Sequence, residues 1–136
     1  MAAGSIATAA AIMCLAKNIY FEANNQSIQG QLAVAAVTLN RVYSEHYPDT
    51  VCEVVHQRNQ FSWYWDGKSD VPANGSSWET AIDLSMYALG NSGFLHREFQ
   101  FDMSESLNYH AAYVDPHWSY LVEIGRIEQH IFYKRK

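Results

Sequence analysis

Two consecutive apolar patterns of helical period occupy the first third of the chain and most constrain its fold. The first predicts a helix from Ala7 to Phe21 with one buried face, and Asn24 to Gln26 ends it. That face comprises Ala9, Ile12, Met13, Ala16, Ile19 and Tyr20. Ser27 can cap a second helix that runs to Tyr43. Its apolar stripe comprises Leu32, Ala35, Ala36, Leu39 and Val42.

Two capping-box patterns predict further helices. Thr50 with Glu53 opens a short third helix through His56, and Ser76 with Glu79 opens a fourth that Gly90 ends. The fourth helix has an apolar stripe of Trp78, Ile82, Ser85, Met86 and Leu89. Between these helices, residues 57–75 are rich in polar and aromatic side chains, among them Asn59.

The last third of the chain is less helical. Residues 108–114 and 127–133 are predicted to be extended, with Pro116 and Gly125 between them. The chain has 136 residues, which is the usual size of one domain. We therefore expect a mainly α fold with a small β element, formed as a single domain over residues 1–136.

Charge and hydropathy exclude some classes of function. A formal net charge of −5 argues against a nucleic-acid binder, which needs a basic patch, and the basic run 134–136 is read as a solvated tail. The apolar stretch 2–16 is shorter than a membrane span and lacks a basic region before it. We therefore expect no signal peptide and no membrane span. Synthesis would be cytoplasmic, and another agent would deliver the protein to a target outside.

The two cysteines are read as structural. Cys14 and Cys52 both have apolar neighbours, which favours two buried free thiols over a disulfide. No CxxC pair suggests redox or zinc chemistry. Whether the two side chains approach each other is left open by the sequence.

A series of short motifs runs in order through nearly the whole chain. The motifs are Leu15–Ala16, Tyr20–Ala23, Gly30–Val37, Leu39–Val42, Thr50–Cys52, Val54–Val55, Gln60–Trp63, Ala88–Gly90, Tyr109–Ala111, Pro116–Trp118 and His130–Tyr133. Taken together, they resemble the cell-wall hydrolases of the spore-cortex-lytic SleB/CwlJ type. Two stretches depart from the family pattern: residues 23–26, where Ala-Arg-Gly-Glu is usual, and residues 127–130, where Ile-Gly-x-His is usual.

The resemblance implies a lysozyme-like fold related to lytic transglycosylases, with peptidoglycan glycan strands as substrate. It places the catalytic acid on Glu22. A compact single domain without a secretion signal further suggests a phage endolysin, released into the host cell, or a similar bacterial enzyme. We expect a monomer that needs no cofactor.

The chemistry of Glu22 fits this assignment. Cleaving a glycosidic bond requires a proton on the leaving oxygen, and a carboxyl group among apolar side chains keeps its proton to higher pH. Most glycosidases use two carboxylates, and the sequence offers no convincing second one, with Asp66 and Asp70 the weaker candidates. A lytic transglycosylase, as the resemblance implies, works with one glutamate and produces 1,6-anhydro-MurNAc ends.

Further residues are candidates for substrate binding. Gln60 can bond an acetamido group, Trp63 and Tyr109 can contact the sugar, and His110 can orient a neighbour. Phe61 belongs to the same aromatic cluster but is mostly a core candidate, and Trp63 fits core and cleft equally well. His110 is at least as well explained as a hydrogen-bonded structural residue.

Three other functions compete with transglycosylation. A muramidase would hydrolyse the same bond with the same acid. An N-acetylmuramoyl-L-alanine amidase would need about three zinc ligands, and only His110, His117 and His130 could cluster. There is no His-Glu-x-x-His helix, so no metal site is expected. A non-catalytic module that only binds peptidoglycan would also use the aromatic residues.

Overall fold

Helices dominate the structure, and a small sheet closes it, as the sequence predicts. The computed structural model describes residues 8–57, 60–91 and 93–136, so the predicted helix start at Ala7 and the polar residue Asn59 lie outside the described residues. The helices are α1 Ala9–Ala23, α2 Ile28–Tyr43, α3 Val51–Val55, α4 Ser62–Trp65, α5 Gly75–Gly90 and α6 Phe94–Arg97. The strands are β1 Ser106–Ala111, β2 Leu121–Ile127 and β3 His130–Arg135. In the described part of the chain, no helix combines the length and apolar character needed to cross a membrane.

Helix α1 forms where predicted, but its buried face is rotated. Thr8 caps the helix by accepting a hydrogen bond from the Ala11 amide at 3.1 Å. Leu15 and Ile19 are fully buried, whereas Met13, expected in the core, is 44% exposed. The reason is that α1 packs against α2, α3 and α5 together, and these neighbours cover a different side of the helix.

Helix α2 is the centre of the molecule. Its N-cap is Ser27, as predicted, whose hydroxyl accepts from the Gly30 amide at 3.1 Å. Every residue from Gly30 to Val42 is buried, which includes the whole predicted stripe. Helices α1, α3 and α5 and strands β1 and β2 all contact α2, so polar side chains on it must find partners inside the protein.

The two predicted capping boxes have different outcomes. Thr50 caps α3 by accepting from the Glu53 amide at 3.2 Å, as expected. The prediction for Ser76 is wrong, because Asn74 caps α5 two residues earlier and accepts from the Ser77 amide at 3.1 Å. Met86 of the predicted stripe is 55% exposed.

The C-terminal third folds into an antiparallel sheet with strand order β1-β3-β2. Strand β2 was not predicted, since Gly125 within it was taken to lie between two extended segments. A side chain at Gly125 would place its Cβ atom 2.3 Å from Phe101 Cε1, so the strand needs glycine there to pack on that ring. The pairing of β2 with β3 is irregular between Glu123 and Gly125.

The two cysteines form a disulfide, and the expectation of free thiols is wrong. Cys14 of α1 and Cys52 of α3 have Cα atoms 5.3 Å apart and are bonded through their sulfurs. Helices α1 and α3 pack directly against each other, which brings the two Cα atoms into the range that a disulfide spans. The bond fixes the middle of α1, the helix that carries Glu22.

Candidate active site

Glu22 lies in the last turn of α1 and faces an open cavity. The rest of the helix is anchored in the core by Leu15 and Ile19, while the Glu22 side chain is only partly buried. The cavity has a volume of about 430 Å³. Its other walls are formed by Gln60, Ser62, Trp65 and Asp66. A carboxyl group that lines such a cavity can meet a ligand directly.

Tyr109 of β1 holds the Glu22 side chain from the sheet. Its hydroxyl donates a short hydrogen bond to Glu22 Oε1, between residues that are 87 positions apart in the sequence. The Tyr109 ring is fixed by two side chains of β3, His130 at 4.9 Å and Phe132 at 5.4 Å between ring centroids. Tyr109 thus contacts the candidate acid but does not itself line the cavity, and its expected contact with a sugar stays a prediction.

A buried cation, Arg41 of α2, interacts electrostatically with Glu22 and Tyr109. Its Nε donates to the Leu107 carbonyl at 2.9 Å, and its guanidinium carbon is 5.0 Å from the ring centroids of Tyr47 and Phe61. Its Nη1 atom has no hydrogen-bond partner among the described residues. Its positive charge lowers the pKa of Glu22, so Arg41 acts on the candidate acid electrostatically.

The protonation of Glu22 reflects these neighbours. Burial raises the pKa of Glu22 above its ordinary value of 4.5, because desolvation disfavours the charged form. The hydrogen bond from Tyr109 and the positive charge of Arg41 act in the opposite direction, since both favour the carboxylate. Burial also raises the pKa of Tyr109 well above its ordinary value, so the phenol keeps its proton and remains a donor. The site can therefore hold a proton on Glu22 and also support its conjugate base.

The aromatic residues predicted to bind substrate are mostly buried and do not line the cavity. Phe61 is 2% exposed and Trp63 is 6% exposed, so neither offers a face to a ligand. Trp63 stacks on Phe21 at 4.9 Å, and its Nε1 donates to Asn18 Oδ1 at 2.7 Å. Both partners belong to α1, so Trp63 supports the helix that carries the acid. Gln60, in contrast, is exposed and lines the cavity.

His110 is placed on the opposite face of the sheet from Tyr109. Successive residues of a strand alternate between faces, so the two side chains of β1 cannot reach the same cavity. His110 Nε2 lies 2.8 Å from the Tyr133 hydroxyl and Nδ1 lies 2.7 Å from the Ala111 carbonyl oxygen. His110 therefore does not line the cavity and is hydrogen-bonded within the sheet, which agrees with the structural alternative considered for it.

Sequence reasoning missed several residues near the acid. Trp65 and Ser62 share its cavity, and His130 packs on Tyr109. Asp66, considered only as a weaker candidate for a second carboxylate, also lines the cavity. Burial lowers the pKa of His130, which favours the neutral ring. The period of two in β3 would have indicated that His130 and Phe132 share the Tyr109 face, had the register been known.

The three histidines considered as zinc ligands do not form a cluster. Within the described residues, no group of three or more His, Cys, Asp and Glu side chains is arranged to hold a metal ion. The His117 side chain is 84% exposed and pairs with Asp115 at 3.5 Å. His110 is on the outer face of the sheet, as described above.

The two stretches that depart from the family pattern contact each other. Glu128, in the turn between β2 and β3, accepts a hydrogen bond from the Ser27 amide at 2.6 Å. The neighbouring Gln129 amide donates to Gln26 Oε1 at 3.4 Å. Glu128 has a φ of 49°, a conformation that glycine adopts more easily. The unusual residues therefore connect the turn after Glu22 to the hairpin that supports Tyr109.

Comparisons with known proteins agree with this fold. The family described as Cell Wall Hydrolase matches residues 25–133. The spore cortex-lytic enzyme of Oceanobacillus iheyensis is 38% identical over 72 residues, which are 53% of this chain and 26% of that protein. The spore cortex-lytic enzyme of Bacillus subtilis is 35% identical over 72 residues, 53% of this chain and 24% of that protein. The matches therefore span about a quarter of the length of these relatives.

Two solved structures share the fold. One is the catalytic domain of the germination-specific lytic transglycosylase SleB from Bacillus anthracis, with a TM-score of 0.66, 28% identity and coverage of 90% of this chain and 93% of that one. The other is the catalytic domain of the Bacillus cereus SleB protein, with the same TM-score and identity and coverage of 90% and 88%. The mainly α architecture with a small sheet, expected from the resemblance as lysozyme-like, is thereby confirmed.

Proposed function

The chain belongs to the cell wall hydrolase family, and on that premise we propose that it degrades peptidoglycan as a lytic transglycosylase. The bond cleaved is that between MurNAc and GlcNAc, and Glu22 serves as the catalytic residue. One observation carries the proposal: a single glutamate, desolvated by burial and bound by Tyr109, faces an open cavity. The similarity to a SleB lytic transglycosylase domain supports it.

Glu22 acts first as a general acid. In its neutral form it donates its proton to the glycosidic oxygen, and the bond from that oxygen to the muramic acid C1 breaks. The N-acetyl group of the muramic acid supplies electrons to C1 and stabilises the developing cation. Because burial raises the pKa of Glu22, the protonated fraction of this side chain at neutral pH is larger than that of an exposed glutamate.

Glu22 then acts as a general base. Its carboxylate accepts the proton of the muramic acid 6-hydroxyl, whose oxygen attacks C1 and closes the 1,6-anhydro ring. Glu22 ends protonated, as it began, and no water is consumed. Arg41 and the Tyr109 hydroxyl both favour the carboxylate, which is the form needed at this stage.

Hydrolysis of the same bond is the second candidate, and one observation favours it. Asp66 lines the same cavity as Glu22, so a second carboxylate is within the site. In a muramidase it would stabilise the cation or activate water. Asp66 Oδ1 accepts a hydrogen bond from the Lys68 amide at 2.9 Å, which gives it a structural role in its loop as well.

Mass spectrometry of digested peptidoglycan separates the candidates. Wild-type protein is expected to release muropeptides with 1,6-anhydro ends, which are lighter by one water than hydrolytic products. Glu22→Gln keeps the size of the side chain and the acceptor for Tyr109 but has no proton to transfer, so it should release none. The exposed Glu105 provides the matched control, and Glu105→Gln should digest like wild type.

Three outcomes would contradict the proposal. Reducing ends that require both Glu22 and Asp66 would identify a muramidase. Released peptides with intact glycan, produced equally by Glu22→Gln, would identify an amidase. Glycan binding by the wild type without any bond cleavage would identify a binding module.

A further inference from the structure

Trp65 is an aromatic side chain in the cavity of Glu22 for which the reaction steps above give no role. It is the last residue of α4 and lines the same cavity as Glu22. Its neighbour in the sequence motif, Trp63, is 6% exposed, whereas Trp65 is 49% exposed. The two tryptophans of α4 therefore have different environments. Trp63 packs under α1, whereas Trp65 offers apolar surface to a ligand.

The Trp65 ring is held in place rather than free to rotate. Its Nε1 donates to the His56 carbonyl at 3.2 Å, which occupies the polar edge of the indole. The ring also packs edge-to-face on Tyr64 at 5.2 Å, and Tyr64 stacks on the His56 imidazole at 4.0 Å. A ring fixed in this way loses little conformational entropy when a ligand binds, and it presents its apolar part.

Polar groups surround the exposed ring. The Gln60 amide, the Ser62 hydroxyl and the Asp66 carboxylate all line the same cavity. An apolar plane bordered by hydrogen-bonding groups complements a pyranose, which has apolar C–H faces and an equator of hydroxyl groups. Asp66 adds a negative charge, which repels a muramic acid unit whose lactyl carboxylate is free rather than amide-linked to a peptide.

We propose that Trp65 is the stacking platform of a subsite beside Glu22 that binds the neutral N-acetylglucosamine units of the glycan strand. The choice of a glycan rests on the proposed function. Gln60 would bond the acetamido group, Ser62 would bond a hydroxyl, and Asp66 would disfavour muramic acid with a free carboxylate in this position. Trp65 is thus a specificity-determining residue and takes no part in proton transfer.

The test measures binding without cleavage. A tetramer of β-1,4-linked N-acetylglucosamine is titrated calorimetrically into the Glu22→Gln protein, with and without a change at Trp65. Trp65→Leu, which keeps apolar bulk but lacks a flat ring, should weaken binding about tenfold, a loss of about 1.4 kcal/mol. Trp65→Phe should bind within about threefold of the parent, because a ring remains. Tyr113→Ala should leave binding unchanged, since Tyr113 is 88% exposed and does not line the cavity.

A second comparison tests the role of Asp66. The Glu22→Gln protein should bind the neutral tetramer more tightly than a tetrasaccharide of alternating GlcNAc and MurNAc with free carboxylates, and Asp66→Asn should reduce that preference about threefold. Circular dichroism and melting curves verify that each variant is folded. Binding by Trp65→Leu within about twofold of the parent would overturn the proposal, as would no binding of the tetramer by the parent.

The outcomes also separate this subsite from the proposed reaction. Binding that depends on Trp65, in a protein whose wild type releases no anhydro ends, would retain the subsite and refute the transglycosylase. Anhydro ends released equally by wild type and Trp65→Leu, with the same dependence of rate on peptidoglycan concentration, would retain the reaction and refute the subsite.

Discussion

Replacing Glu22 by glutamine should stabilise the protein at neutral pH while abolishing its activity. Burial raises the pKa of Glu22 in the folded state above the ordinary value of 4.5 that it has in the unfolded chain. The stability contributed by the protonated carboxyl is then fully present below about pH 4.5 and is lost as pH rises through the folded pKa. Glutamine is always neutral, so the variant retains that stability at every pH.

The size of the effect follows from the surroundings of Glu22. Each unit by which the folded pKa exceeds the unfolded one costs about 1.4 kcal/mol at high pH. The Tyr109 hydrogen bond and Arg41 favour the carboxylate and reduce this cost. We therefore expect a gain of about 1–3 kcal/mol for Glu22→Gln at about pH 7.5, the range for a desolvated polar group with incomplete compensation. Glutamine can still accept the Tyr109 hydrogen bond through its carbonyl oxygen.

Urea unfolding at several pH values measures the gain. The difference in the free energy of unfolding between Glu22→Gln and wild type should be close to zero near pH 4 and should grow as pH rises through the folded pKa of Glu22. Glu105→Gln is the control, because it also removes one negative charge but from an exposed side chain. A control that showed the same pH-dependent gain would trace the effect to net charge rather than to the site.

Two results would refute the reasoning. A Glu22→Gln protein that is less stable than wild type at neutral pH would mean that the carboxylate is net stabilising, so the folded pKa would lie below the unfolded one. A difference that does not change with pH would mean that the side chain acts through packing alone.

Three other changes have defined outcomes. Tyr109→Phe removes a hydrogen bond that lowers the pKa of the candidate acid, so the alkaline limb of the pH profile of peptidoglycan clearing should move to higher pH; an unchanged limb would contradict the contact. Reducing the Cys14–Cys52 bond, or replacing both cysteines by serine, should lower the free energy of unfolding by about 4 kcal/mol, as expected for a sequence separation of 38, and urea midpoints that match wild type would argue against the crosslink. Gly125→Ala should destabilise the fold by about 1–3 kcal/mol because its Cβ meets Phe101, and Phe101→Leu in the same protein should recover part of the loss in melting temperature.

The helices could be predicted because their signals are local. The caps at Ser27 and Thr50 and the apolar stripe of α2 depend on residues within a few positions of each other, and all three were confirmed. The buried face of α1 was harder to predict, because it is determined by packing against three neighbouring helices. Strand β2 was missed because Gly125 looked like a break in extended structure. Glycine is needed there to make room for the ring of Phe101, which lies elsewhere in the sequence.

The site depends on contacts that the sequence does not contain. An aromatic residue has the same pattern in a core and in a cleft, so Trp63 and Trp65 could not be distinguished until the first was seen to contact Asn18. The pairing of Cys14 with Cys52 likewise requires the packing of α1 on α3. Glu22 was proposed as the acid from its motif, whereas its partner Tyr109 could be placed near it only by the fold.

The separation of 87 residues between Glu22 and Tyr109 also has a consequence for the order of events during synthesis. Helix α1 leaves the ribosome long before β1, and the strand that fixes the Tyr109 ring, β3, is made later still. A contact of such high sequence separation forms late, with the closure of the whole domain. A nascent chain, or one truncated before β3, would therefore carry an ordinary exposed glutamate at position 22. The raised pKa of Glu22, on which the proposed reaction depends, therefore arises only once the last strand of the sheet has formed.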